Sequence, residues 1–150
     1  MSERVPLVVR AGIVASFPLM LVLATLAQPA AADGAPDLRR YEAVVTDCYD
    51  ADTCTVEVNL GFGVWLYGQR VRLYGINAPE MRGPEKAAGK VARDWVRTLV
   101  KGKRVTLAII QKRGRDAKGK FGRWLAVLEL ADLNVNDALV ANGYAKLANY

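Results

Sequence analysis

The chain contains no histidine. No imidazole can therefore act as general base, nucleophile or metal ligand. Any hydrolysis has to run on carboxylates, arginines and a hard cation. Cysteine is nearly absent as well: Cys48 and Cys54 are the full complement, which excludes a zinc site built from several thiolates. These two lie on either side of a probable turn. A cross-strand disulfide in an oxidising compartment and a pair of small buried thiols are both open readings. There is no internal repeat.

The 150 residues suggest a single domain once the N-terminus is set aside. Arg4 and Arg10 give a positive start, and the stretch 11–27 carries no charge. Ala30 and Ala32 then form an A-x-A exit. This layout reads as a secretory signal peptide over 1–32, cleaved near Ala32 and Asp33; an uncleaved anchor is the alternative. The expected location is secreted or periplasmic, without stable membrane association after cleavage. Residues 33–40 read as a flexible polar tail and 41–150 as the domain. Removing Arg4, Arg10 and Glu3 leaves 19 basic and 14 acidic residues, a net charge of +5. A basic exported domain points to a polyanionic partner: nucleic acid, anionic lipid or cell-wall polymer.

Strand-like runs occupy 41–49, 53–60, 64–76, 103–110 and 123–130. The spacing predicts a helix over 85–102, with an apolar stripe of Val91, Trp95, Leu99 and Val100 and a stop at Gly102. A second, shorter helix is expected over 134–143, capped by Asn134 and ended by Gly143. Three strands, a helix, two strands and a helix fit a mainly β, α+β fold: a five-stranded Greek-key barrel of OB type. A doubly wound parallel sheet would need a helix after nearly every strand.

Four short stretches carry possible chemistry. In "DADT" (50–53), Asp50 and Asp52 can converge on a hard cation, although aspartate is also an ordinary turn residue. In "NAPE" (77–80), Asn77 offers a neutral oxygen, and Pro79 restricts how Ala78 and Glu80 are presented. Arg72, flanked by Val71 and Leu73, is expected to face away from the core beside Arg70 and Tyr74. The segment 112–123 holds Lys112, Arg113, Arg115, Lys118, Lys120 and Arg123 against one acid, Asp116. It resembles a phosphate loop on paper, but Phe121 stands where the magnesium-binding hydroxyl belongs and a strand follows it. The basic loop suits a polyanion, and Phe121, Trp124 or Tyr74 offers a face on which a base could stack.

Taken in order, Asp-x-Asp-Thr, R-L-x-x-I-x-x-P-E, a helix and D-x-x-G-K-F-G-R-W-L-A resemble the staphylococcal-nuclease-like (thermonuclease) family over about 41–150. "VNDALVANGYAKL" (135–147) looks like the family's helix after the last barrel strand. The resemblance implies an OB-type barrel and Ca²⁺-dependent hydrolysis of DNA and RNA phosphodiesters to 3′-phosphates. It implies a catalytic trio of Arg72, Glu80 and Arg123. It also implies a metal set of Asp52, Asn77 and the Ala78 carbonyl, with Asp50 as a further candidate. Asn77 departs from the aspartate common there and removes a charge. Lys112, Arg113, Arg115, Lys118, Lys120 and Tyr150 are candidates for contact with the nucleic acid. A monomer is expected. The alternative is a non-catalytic OB module that holds single strands. An envelope protein binding lipid or polymer would leave both acidic turns without a role.

Overall fold

The structure, a computed structural model, describes residues 37–149. The expected signal peptide, residues 33–36 of the expected tail and Tyr150 lie outside the described residues. Five strands build the barrel: β1 (Leu38–Asp50), β2 (Thr53–Gly61), β3 (Val64–Leu73), β4 (Arg104–Lys112) and β5 (Trp124–Leu130). Helix α1 (Lys86–Val100) joins β3 to β4, and α2 (Val135–Ala141) follows β5. The pairing order is β4–β1–β2–β3–β5, and β5 closes back onto β4. Every pairing in this ring is antiparallel except β3 with β5. The architecture is the OB-type α+β barrel that the order of elements predicts.

Strand β1 is long because it serves two neighbours. Its first half pairs with β4 and its second half with β2. Register shifts after Val45 and Cys48 let it bend between them, as bulges do. The tail expected over 33–40 is shorter than the sequence suggests. Leu38, Arg39 and Arg40 pair with Ile110, Ile109 and Ala108, because β4 would otherwise end in an unpaired edge.

Alternate residues of these strands fill the interior: Val45, Val56, Val71, Leu73, Leu107 and Leu128 are almost fully buried. Helix α1 covers one end of that core with a face that differs from the predicted stripe. Gly89, Ala92, Val96 and Val100 are buried, while Val91 is exposed and Trp95 and Leu99 flank the contact. The inner face is narrow at its start, where the helix lies against backbone at Gly89, and widens to valine further along. A Cβ added at Gly89 would sit 2.5 Å from the carbonyl oxygen of Glu80 and 2.9 Å from that of Pro79. Arg97 ties the helix to β1, donating to the Cys48 carbonyl at 2.9 Å and pairing with Asp47 at 2.8 Å. In α2, Asn134 caps the first turn by accepting from the Asp137 N–H at 3.2 Å. Asn136, also buried, donates to the Tyr74 carbonyl at 2.9 Å and the Ala126 carbonyl at 3.2 Å. It thereby locks α2 onto β5 and the end of β3.

Cys48 and Cys54 are register partners across β1 and β2 and are joined by a disulfide. The bridge clamps the turn that carries Asp50 and Asp52. Closing so short a loop stabilises the fold by about 2 kcal/mol on the chain-entropy estimate. The double replacement Cys48→Ala/Cys54→Ala is expected to lower the urea unfolding free energy by that amount. A midpoint unchanged from the oxidised wild type would show that the bridge adds nothing.

Candidate functional site

Asp52 lies at the base of the site and is 1% exposed. A carboxylate withstands such burial when its charge and its oxygens are both met. Its Oδ1 is paired with the Arg72 guanidinium and accepts the Thr53 hydroxyl at 3.2 Å. Its Oδ2 accepts the Ala78 N–H at 2.7 Å. Arg72 reaches onward, donating from Nη2 to Asn77 Oδ1 at 2.8 Å. The two acidic turns, distant in sequence, are thus bolted together through one ion pair.

Strand register explains why these residues meet. Thr53 is the partner of Arg72 across β2 and β3. The parallel pairing sets Val71 beside Trp124, so Arg123, one residue earlier, arrives at the same level as Arg70. From there Arg123 Nη1 donates to Thr53 Oγ1 at 2.9 Å, and its Nε donates to the Lys120 carbonyl at 3.3 Å. The Thr53 hydroxyl therefore accepts from one arginine and donates to the carboxylate that holds the other. Glu80 is exposed at the rim. Its N–H donates to Glu85 Oε2 at 3.2 Å, and Gly89 packs beneath its carbonyl.

Arg72, Arg123, Glu80, Asp50 and Asn77 line one open cleft of about 710 Å³. Lys112, Lys118, Lys120 and Arg70 share its walls, so cations outnumber acids and the cleft attracts polyanions. Not every candidate joins them. Asp52 is sealed beneath the wall, and Ala78 is buried and borders a smaller recess with Asn77, Pro79 and Glu85. Arg113 and Arg115 sit exposed at the turn that follows β4, away from the cleft lining. Tyr74 does not point with Arg72; it packs half-buried against Ile110, Ala117 and Leu125. Its N–H donates to the Ala126 carbonyl of β5 at 2.8 Å, which carries the parallel β3–β5 pairing one residue past the end of β3.

Burial pushes the Asp50 carboxyl above its ordinary value, against the pull of Thr53, Arg72 and Arg123. Its Oδ1 accepts the Asp52 N–H at 3.2 Å. Among the described residues, no three acidic, histidine or cysteine side chains cluster as metal ligands. The oxygens facing the cleft are the carboxylates of Asp50 and Glu80 and the amide of Asn77. Such donors suit a hard divalent cation, and one placed beside Asp50 would relieve the cost of burying its charge. Of these oxygens, Asn77 Oδ1 already accepts from Arg72, and both oxygens of the buried Asp52 are engaged by Arg72, Thr53 and the Ala78 N–H, so the Asp50 and Glu80 carboxylates are the donors such a cation would meet first.

Sequence reasoning missed four contributors. Thr53, quoted as part of a turn, is the hydroxyl that links both arginines. Gly89 sets the height of the Glu80 turn; its signal was a glycine inside a helical period. Tyr49 and Arg70 also face the cleft, and nothing local distinguishes them from solvated strand residues.

A family model described as staphylococcal nuclease homologue matches residues 70–150. No curated protein matches the chain.

Two outcomes test this geometry. Arg72→Ala leaves the Asp52 carboxylate buried and unpaired, and is expected to cost about 3–5 kcal/mol of stability in urea titration. Arg123→Ala strips a neutral hydroxyl of its donor and is expected to cost about 1 kcal/mol; equal losses would refute the distinction. Asp50→Asn addresses pH. A carboxyl whose folded pKa is raised keeps its proton longer in the folded state, so wild-type stability falls as pH rises from the ordinary aspartate value of 3.8. The amide does not titrate. With chelator present, Asp50→Asn is expected to melt above the wild type at pH 7, and the gap should close as pH drops below the ordinary aspartate range. A gap independent of pH would remove the burial argument.

Proposed function

The chain belongs to the staphylococcal nuclease homologue family, and from that premise we propose that it is an exported, Ca²⁺-dependent phosphodiesterase that cuts DNA or RNA and leaves 3′-phosphates. The observation that carries the reading is that Arg72, Arg123 and Glu80 front one cleft, although 51 residues separate the first from the last.

Attack by water on a phosphodiester builds negative charge on the equatorial oxygens. Arg72 and Arg123 are held in advance, one by Asp52 and Asn77, the other by Thr53. Donors fixed before the reaction need no reorganisation, and each is worth on the order of 10²–10³ in rate. Arginine suits the task because its planar fork meets two phosphate oxygens and stays charged. Glu80, exposed at the rim, takes the proton of the attacking water or orders that water; no histidine competes for the role. Asp50 and Asn77 would hold Ca²⁺ at the cleft wall, with Asp52 and the Ala78 peptide behind them. When bound, the ion supplies positive charge against a phosphoryl oxygen and a site for water. Lys112, Lys118 and Lys120 guide the polyanion and make its binding salt-dependent. Export draws support from the disulfide, since such bridges persist in oxidising compartments.

A second reading, single-strand binding without cleavage, draws on the Asp52 oxygens already engaged by Arg72, Thr53 and Ala78. One assay separates the two. Purified protein with single-stranded DNA and RNA is expected to cut in Ca²⁺, to stop on chelation, and to lose at least about 10²-fold in rate in Glu80→Gln. Tight binding without cleavage would establish the binding module instead. Full activity in Glu80→Gln would remove that residue from the chemistry.

A further inference from the structure

Beside the main cleft lies a second basin of about 250 Å³. Gln69, Trp124 and Gly122 line it and not the main cleft, whereas Arg70, Lys118, Phe121 and Arg123 front both spaces. The two are neighbours that share a rim, and Phe121 stands on that rim.

Phe62, in the β2–β3 turn, is exposed, outside both hydrophobic clusters and left-handed, but it borders neither space; Phe121 has the same features on the shared rim. Its side chain is 93% exposed and belongs to neither hydrophobic cluster. Its backbone is left-handed at φ +61°, a conformation that costs a bulky residue on the order of 1–3 kcal/mol. Gly122 follows at φ +70°, and the two together turn the ring outward beside Arg123, whose guanidinium lies 5.6 Å from the ring centre. The fold gains no burial from this ring. Trp124, the other aromatic of the basin, is occupied: Lys118 Nζ lies 3.9 Å from the centre of its ring, and its indole N–H donates to Gln69 Oε1 at 3.5 Å. Lys118 is thereby held at the basin, with its charge available to both spaces. Phe121 carries Arg123 more loosely over one face and, being almost wholly exposed, offers the other between two cationic hollows.

We propose that this basin is a second nucleotide subsite, which takes the nucleotide next to the scissile phosphate as an unpaired base stacked on Phe121, with its phosphate against Arg70 and Lys118. The proposal rests on the nucleic-acid reading of the main cleft and names its substrate class. A base inside a duplex has both faces covered by its neighbours, so the stack needs a single strand. A phenyl ring carries no hydrogen-bonding group, so the subsite tolerates any base. Spanning two hollows that share arginine and lysine walls, the strand crosses Phe121 between one phosphate and the next.

The test measures binding with the metal chelated, so it does not depend on cleavage. Fluorescein-labelled hexathymidylate and a labelled hairpin duplex of matched phosphate count are titrated against wild type, Phe121→Ala and Phe121→Trp, with melting curves to confirm folding. Phe121→Ala is expected to weaken hexathymidylate binding about tenfold, within the range for loss of one stacked base, and to change duplex binding less than twofold. Phe121→Trp is expected to restore single-strand affinity. Equal losses for both probes, no loss for either, or failure of the wild type to bind hexathymidylate would overturn the subsite. A wild type that binds in this pattern and never cuts overturns the hydrolytic reading alone. One that cuts, with Phe121→Ala binding both probes as before, overturns the subsite alone.

Discussion

A single buried carboxylate sets the terms for the rest of the site. Asp52 has almost no contact with water, and its two oxygens take a guanidinium, a hydroxyl and a peptide N–H from three different segments. In so dry a place a half-satisfied group costs more than an absent one. The start of β2, the end of β3 and the turn that carries Glu80 must therefore arrive together or not at all. This coupling also fixes Arg72. A long, flexible side chain that would lose rotamer freedom on meeting a phosphate has already lost it on folding.

Barrel closure carries the second arginine to the first. The β3–β5 pairing is the parallel one of the ring, and it exists because α1 and β4 intervene between these strands. That crossover lets residues on either side of a helix face one cleft. The helix also sets the position of Glu80 through Gly89, where backbone meets backbone. The groups proposed to act on a phosphate therefore sit on strand ends and a braced turn rather than on a loop free to wander, the arrangement that preorganised electrostatics requires.

Much of this was legible in the residues, for local reasons. Alternation in β2, the asparagine cap of α2 and the glycines that stop both helices are short-range signals, and they led to the right ring of strands. The inner face of α1 was misread because periodicity rewards large apolar residues such as Val91, whereas the face is set by Gly89, which meets backbone, and runs on through Ala92 to Val96 and Val100. The first residues of β1 looked like tail because their polarity is local and their partners, Ala108 to Ile110, are not. Asp50 and Asp52 could not be told apart at i and i+2. One faces the cleft and the other lies under it, and a tight turn with a register shift decides which. Thr53 was invisible as a contributor for the same reason: its role is set by Arg72 and Arg123, which reach it from other strands.

Asn77 gains meaning from the same ion pair. Its amide oxygen accepts from Arg72 at 2.8 Å, so the guanidinium has one anionic partner in Asp52 and one neutral partner in Asn77. A carboxylate at 77 would strengthen a cation site at the wall, yet it would also place a second negative charge against Arg72 and lower the positive potential it can offer a phosphate. The amide shifts the balance from metal affinity toward the arginine. On the proposed reading, the work of neutralising the substrate then falls more heavily on Arg72, Arg123 and the lysines of the cleft, groups whose grip weakens as salt rises. A strand running from that cleft over Phe121 would compensate through stacking, a contact that salt screens far less than charge.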